Sequence, residues 1–143
     1  MQQLNYDPDF IPQILREVKT IALVGASNNP ARPSHEVMNF MLQHGYHVIP
    51  INPGLAGNIV LGQTVVASLV DVVEPIDMVD IFRNSDAAGA VVDEALLLSP
   101  LPKVIWMQIG VQNDEAAARA EKEGLRVVMD RCPKIELANM QHI

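Results

Sequence analysis

Five short apolar runs, separated by segments with helical spacing, constrain this chain more than any other feature. They are Thr20–Val24 (T-I-A-L-V), Tyr46–Ile51 (Y-H-V-I-P-I), Asp77–Phe82 (D-M-V-D-I-F), Lys103–Met107 (K-V-I-W-M) and Arg126–Met129 (R-V-V-M). Each has strand length, and runs apolar on both faces belong to strands covered on both sides. Asp7-Pro8 reads as a helix start, followed by Phe10, Ile11, Ile14, Leu15 and Val18 at helical spacing. Pro33 opens a second helix with the stripe Val37, Phe40 and Met41, closed by Gly45. Asn84 or Ser85 caps a third, running to about Leu98, and Asn113 caps a fourth that ends at Gly124. Asp114 and Glu115 suit its positive first turn. Pro133 starts a last helical turn. Residues 55–75 are less regular. Gly57 and Gly62 suggest loops, and Ser68 caps a short helix through Val72. Pro50 has no amide to donate, which predicts a break in pairing at that point of the second strand.

Strict alternation of strand and helix implies a parallel sheet with right-handed crossovers. The expected architecture is a Rossmann-like α/β fold of three layers, with a five-stranded, mainly parallel sheet. It forms one domain over residues 1–143, with a helix at about 7–18 packed on it. The 143-residue length allows a core without disulfides or metals. Aromatics are only 4%, so Val, Ile, Leu, Met and Ala must build that core.

A net charge of −7 argues against general nucleic-acid binding, which relies on clustered Lys and Arg. It does not exclude a small anionic ligand held by backbone amides and local cations. The single cysteine, Cys132, permits no internal disulfide and fits a reducing compartment. The first residues lack the basic and apolar regions of a signal peptide, and no apolar run approaches the ~20 residues needed to cross a bilayer. A cytoplasmic location, away from membranes, is therefore expected.

In such folds ligands bind beyond the carboxyl ends of the strands. Those ends are polar here: Gly25 to Asn28, Asn52 to Gly54, Phe82-Arg83-Asn84, Gln108-Ile109-Gly110 and Asp130-Arg131-Cys132. The loop Gly25-Ala26-Ser27-Asn28-Asn29-Pro30 is the sharpest signal. Gly25 allows unusual backbone angles and close approach, the following helix offers free amides, and Arg32 adds a cation. A tight strand-to-helix turn would also use such a glycine, but the other polar strand ends favour binding. The dinucleotide pattern G-x-G-x-x-G is incomplete, and Asn52 stands where an acid would hold NAD ribose. The Gly-Lys-Ser/Thr phosphate loop is absent too.

Five ordered motifs carry a resemblance. They are Gly25-Ala26-Ser27, Asn52-Pro53, Val79-Asp80-Ile81-Phe82-Arg83, Trp106-Met107-Gln108-Ile109-Gly110-Val111, and Val128-Met129-Asp130-Arg131-Cys132-Pro133. From about Lys19 to Ala138 the chain resembles the small bacterial CoA-binding proteins. These are stand-alone relatives of the CoA-binding domain in the succinyl-CoA synthetase alpha subunit. The resemblance implies binding of coenzyme A or an acyl-CoA. Gly25, Ser27 and Asn28 would then lie at the phosphates, with Ala26 in the same loop and Arg32 as the local cation. Asn52 and Pro53 would lie near the adenosine, and Phe82, Arg83, Gln108 and Gly110 along the pantetheine arm. Leu55 departs from the pattern, because the synthetase has a lysine after its Pro-Gly. The synthetase's phosphorylated-histidine domain has no counterpart, so the resemblance implies binding rather than thioester synthesis.

Two other readings stay open. Cys132, at a strand end near where a CoA thiol would arrive, suits a CoA transferase or redox enzyme, or a small, partly buried residue without a role. A regulatory module sensing NAD(H) through a partner is weakened by Asn52. His35 lies one turn into the second helix and reads as solvent-facing. His35, His44, His47 and His142 show no zinc spacing. Asp80 reads as a buried acid or one hydrogen-bonded at a sheet edge. Arg131 either pairs with Asp130 or faces the ligand.

Overall fold

The computed structural model describes residues 5–140. His142 and the outermost residues of the expected domain lie outside them. Helix α1 spans Phe10–Glu17. Asp7-Pro8 forms the turn before it: the Phe10 amide donates to the Asp7 carbonyl at 3.0 Å, and Asp9 takes the cap position. Strand β1 (Thr20–Val24) leads through the glycine loop to α2 (Pro33–Gln43) and β2 (His47–Ile51). A single 3₁₀ turn, Pro53–Leu55, precedes a small hairpin of β3 (Ile59–Val60) and β4 (Gln63–Thr64). After a second 3₁₀ turn, Leu69–Asp71, come β5 (Met78–Ile81), α3 (Ser85–Ala95), β6 (Val104–Met107), α4 (Asp114–Lys122), β7 (Arg126–Val128) and α5 (Pro133–Met140).

Local chemistry sets these boundaries. Asn84, not Ser85, caps α3, accepting from the Ala87 amide at 2.8 Å. Ser85 instead accepts from the Gln112 amide at 2.9 Å, tying the start of α3 to the loop after β6. Asn113 caps α4 through the Ala116 amide at 3.0 Å. The hairpin lies in the irregular stretch; Leu61 and Gly62 turn it with positive φ.

The five-stranded sheet has the order β2-β1-β5-β6-β7, and all four pairings are parallel. Pro50 does not break the pairing: it stands opposite Leu23 within the β1–β2 ladder. Its nitrogen faces away from β1, on the side where its own carbonyl accepts from the Val66 amide at 2.9 Å. The missing donor therefore falls on the outer edge and costs no ladder bond.

Alternate strand residues enter two cores. Ala22, Val24, Val79, Ile81, Ile105 and Met107 pack under α3 and α4. Ile21, Leu23, Met78, Trp106 and Val128 pack under α1, α2 and α5. Asp80 lies on this second face, between Leu23 and Trp106 in register. It is not at a sheet edge, as β5 is the middle strand. It is 1% exposed, and its Oδ1 has no hydrogen-bond partner among the described residues. Burial pushes its carboxyl well above the usual range. Asp77, at the strand's start, accepts from the Lys19 and Thr20 amides at 2.9 and 3.0 Å.

Candidate functional site

The connections leave β1 toward β2 on one side, while β5 lies on the other, so the order reverses between β1 and β5. A crevice at the carboxyl ends follows from that reversal. Gly25 and Phe82 meet there. A Cβ on Gly25 would lie 2.8 Å from the Phe82 carbonyl oxygen, and Gly25 has φ +97°. The glycine is thus required by the approach of two strand ends, whatever else the loop does.

The loop's own hydrogen bonds decide which groups remain free. The Gly25 and Ala26 amides both donate to the Ile51 carbonyl, at 3.0 and 3.2 Å. The Asn52 amide nitrogen donates to the Ala26 carbonyl at 2.8 Å, and its Oδ1 accepts from the Gly54 amide at 2.8 Å. These groups are therefore occupied within the protein. Ser27 Oγ accepts from the Asn29 amide, and Asn29 Oδ1 from the Ala31 amide, each at 3.0 Å. The amides of Ser27, Asn28 and Ser34 find no acceptor among the described residues. Ser34 lies in the first turn of α2, where the helix leaves donors free.

Three adjoining cavities surround the crevice. One of about 510 Å³ lies between the ends of β1 and β2 and helix α3, lined by Gly25, Asn52, Pro53, Ser68 and Arg83. The second, about 580 Å³, is lined by the loop from Gly25 through Ala26, Ser27 and Asn28, by Arg32 and Ser34 of the following segment, and by Asn52, Leu55 and Phe82. A third, about 550 Å³, runs from Phe82 and Arg83 past Gln108 and Gly110 to Cys132 and Ile135. Gly25 and Asn52 border the first two, Phe82 the second and third, and Arg83 the first and third. Of the strand-end residues, Gly25 to Asn28, Asn52 to Gly54, Phe82 to Asn84, Gln108 to Gly110 and Cys132 line at least one of them, whereas Asp130 and Arg131 line none of the three.

Sequence reasoning missed the α3 face of the first cavity: Ala87, Ala90, Val91 and Glu94. Their spacing of three, one and three marks a single helical face, and the two alanines leave room above it. It also missed Glu36, Lys134 and Ile135 of the third cavity, which come from helices rather than strand ends.

Charge is uneven across the site. Arg32 and Arg83 have no carboxylate within ion-pair distance among the described residues. Arg119 and Arg126 do, at 2.9 Å to Asp93 and 2.8 Å to Glu17. Arg131 lies 3.7 Å from Glu136 and over the Tyr6 ring, while Asp130 accepts from the Gly110 amide at 2.7 Å. His35 lines none of the three cavities. No group of three metal-ligating side chains occurs among the described residues, and no helix there is long and apolar enough to cross a membrane.

Known proteins resemble this chain in sequence and fold. Residues 19–138 match the family model described as a CoA binding domain. The chain is 39% identical over 125 residues to the uncharacterized protein YneT of Bacillus subtilis strain 168, covering 87% of this chain and 90% of that protein. The solved structure of cell-free ID.343 from Thermus thermophilus superposes with a TM-score of 0.88 at 35% identity, covering 94% of this chain and 99% of that one. The dinucleotide-forming acetyl-coenzyme A synthetase 1 of Ca. Korarchaeum cryptofilum, solved with phosphate and ADP, superposes at 0.65 and 26% identity. The match covers 76% of this chain and 25% of that enzyme.

Proposed function

The chain belongs to the family of CoA binding domains, and on that premise we propose that it binds coenzyme A or an acyl-CoA along the three joined cavities, without chemistry of its own. The observation that carries this reading is that neighbouring cavities share Gly25, Phe82 and Arg83 in their walls. A small-molecule pocket spans about 300–1,000 Å³, so a ligand as long as CoA uses more than one. The phosphates take the free amides of Ser27, Asn28 and Ser34, with Arg32 beside them. Amides at a helix start favour anions through both hydrogen bonding and the helix dipole. The adenosine lies by Asn52, Pro53 and the small face of α3. Here Gly25, Ala26 and Asn52 shape the floor, their donors engaged with Ile51 and Ala26. The arm passes Phe82 and Arg83 toward Gln108 and Gly110, with Cys132 at its far end.

These residues fit the ligand: uncommitted amides and unpaired arginines for phosphate, and an unpartnered side-chain oxygen on Gln108 for an amide N–H. Asn52 counts against NAD, because an amide stands where a carboxylate would accept from the ribose hydroxyls, and its side chain is engaged with Ala26 and Gly54. Calorimetry and thermal shift with CoA, acetyl-CoA, NAD and NADP test the reading. CoA species should give heat and stabilise the fold, and the NAD cofactors should not. Silence from every CoA species at millimolar concentration would refute it.

A further inference from the structure

Cys132 is the only cysteine of the chain, 7% exposed, and it borders the third cavity. Its backbone is fixed at the head of α5, where its carbonyl accepts from the Glu136 amide at 3.0 Å. Gln108, which lines the same cavity, is also 7% exposed, and its side-chain oxygen has no hydrogen-bond partner among the described residues. A buried amide oxygen without a donor is costly unless something supplies one. Val37, Phe82 and Ile135 give the lining its apolar part, and Glu36, Arg83 and Lys134 its charged part. The cavity therefore suits a flexible chain with an amide N–H for Gln108 and sulfur beside Cys132.

We propose that this cavity is a thiol–disulfide exchange site, in which Cys132 takes up the oxidised form of a pantetheine-type thiol. The inference rests on the binding reading above and adds a covalent, redox-dependent state to it. The Cys132 thiol gives up its proton, and its sulfur attacks one sulfur of the ligand's disulfide. That S–S bond breaks as a new one forms between Cys132 and the ligand. The departing half leaves as a thiolate and takes up the proton, so no further oxidant is needed. Attack by a free thiol on the mixed disulfide reverses the step.

Intact-mass spectrometry of the full chain incubated with CoA disulfide tests this. One adduct per chain is expected, removed by dithiothreitol and absent from Cys132→Ser. The native chain should react at least about tenfold faster with CoA disulfide than with glutathione disulfide, and the urea-unfolded chain should treat the two within about twofold. Gln108→Leu, deprived of the amide contact, should slow the CoA reaction about fivefold. No adduct on the native chain, or equal native rates with both disulfides, would overturn the proposal. Calorimetry of Cys132→Ser with reduced CoA separates the two failures. Binding without an adduct on the native chain rejects exchange alone, and no binding rejects the parent reading as well.

Discussion

Replacing Asp80 by asparagine asks whether a proton is stored in the middle of the sheet. The carboxyl lies on the central strand between Leu23 and Trp106, at 1% exposure, with Oδ1 unpartnered. Burial raises its affinity for a proton in the folded chain, whereas an unfolded aspartate titrates near 3.8. Its contribution to stability is therefore complete below that value and is lost as pH rises toward the folded value. Across the interval, the folded chain holds one more proton than the unfolded chain. Its unfolding free energy then falls by about 1.4 kcal/mol per pH unit on account of this group. Asparagine has no proton to lose. From about pH 5 upward, Asp80→Asn should gain stability relative to the native chain as pH rises, until the folded carboxyl has lost its proton. Every other titrating group is shared, so the difference between the two proteins isolates this one. Any fixed cost of burying the amide shifts the difference without tilting it. Urea unfolding followed by Trp106 fluorescence supplies the curve, because Trp106 is the sole tryptophan and is fully buried. A difference that stays constant across the window would refute the stored proton.

Gly25→Ala should destabilise the fold by about 2–4 kcal/mol in the same urea assay, since the new Cβ meets the Phe82 carbonyl at 2.8 Å in a left-handed backbone. Ser27→Asp should weaken CoA binding by about tenfold in calorimetry while leaving urea unfolding unchanged, because it sets like charge beside the phosphates. An unaltered affinity would move the phosphate site elsewhere. Leu55→Lys should tighten CoA binding about fivefold at low salt, with the gain shrinking as salt is added, because Leu55 borders the cavity that holds Arg32.

The strands were legible because each is a dense apolar run, and the caps Asn84 and Asn113 because a side-chain oxygen before a helical pattern has one local use. The hairpin of β3 and β4 escaped because two-residue strands offer no period, and Ile59 is 64% exposed. Pro50 misled because its missing donor matters only if that side of the strand has a partner strand, which depends on β2 lying at the edge. The candidate site is legible as a set of polar strand ends and illegible in its donors. Whether the Gly25 and Ala26 amides face a ligand or the Ile51 carbonyl is decided by a strand 26 residues away from Gly25. The α3 wall required knowing which helical face turns toward the crevice.

The double acceptance by Ile51 and the two-ended bonding of Asn52 have a dynamic consequence. The loop after β1 and the turn after β2 are joined by hydrogen bonds through Gly25, Ala26, Asn52 and Gly54, so neither segment opens alone without leaving a partner unsatisfied. A ligand bridging them meets a floor already ordered, and less of its binding energy goes into arranging that floor. Hydrogen exchange would register the two segments as one cooperative unit, with the Gly25 and Ala26 amides opening together with that of Gly54.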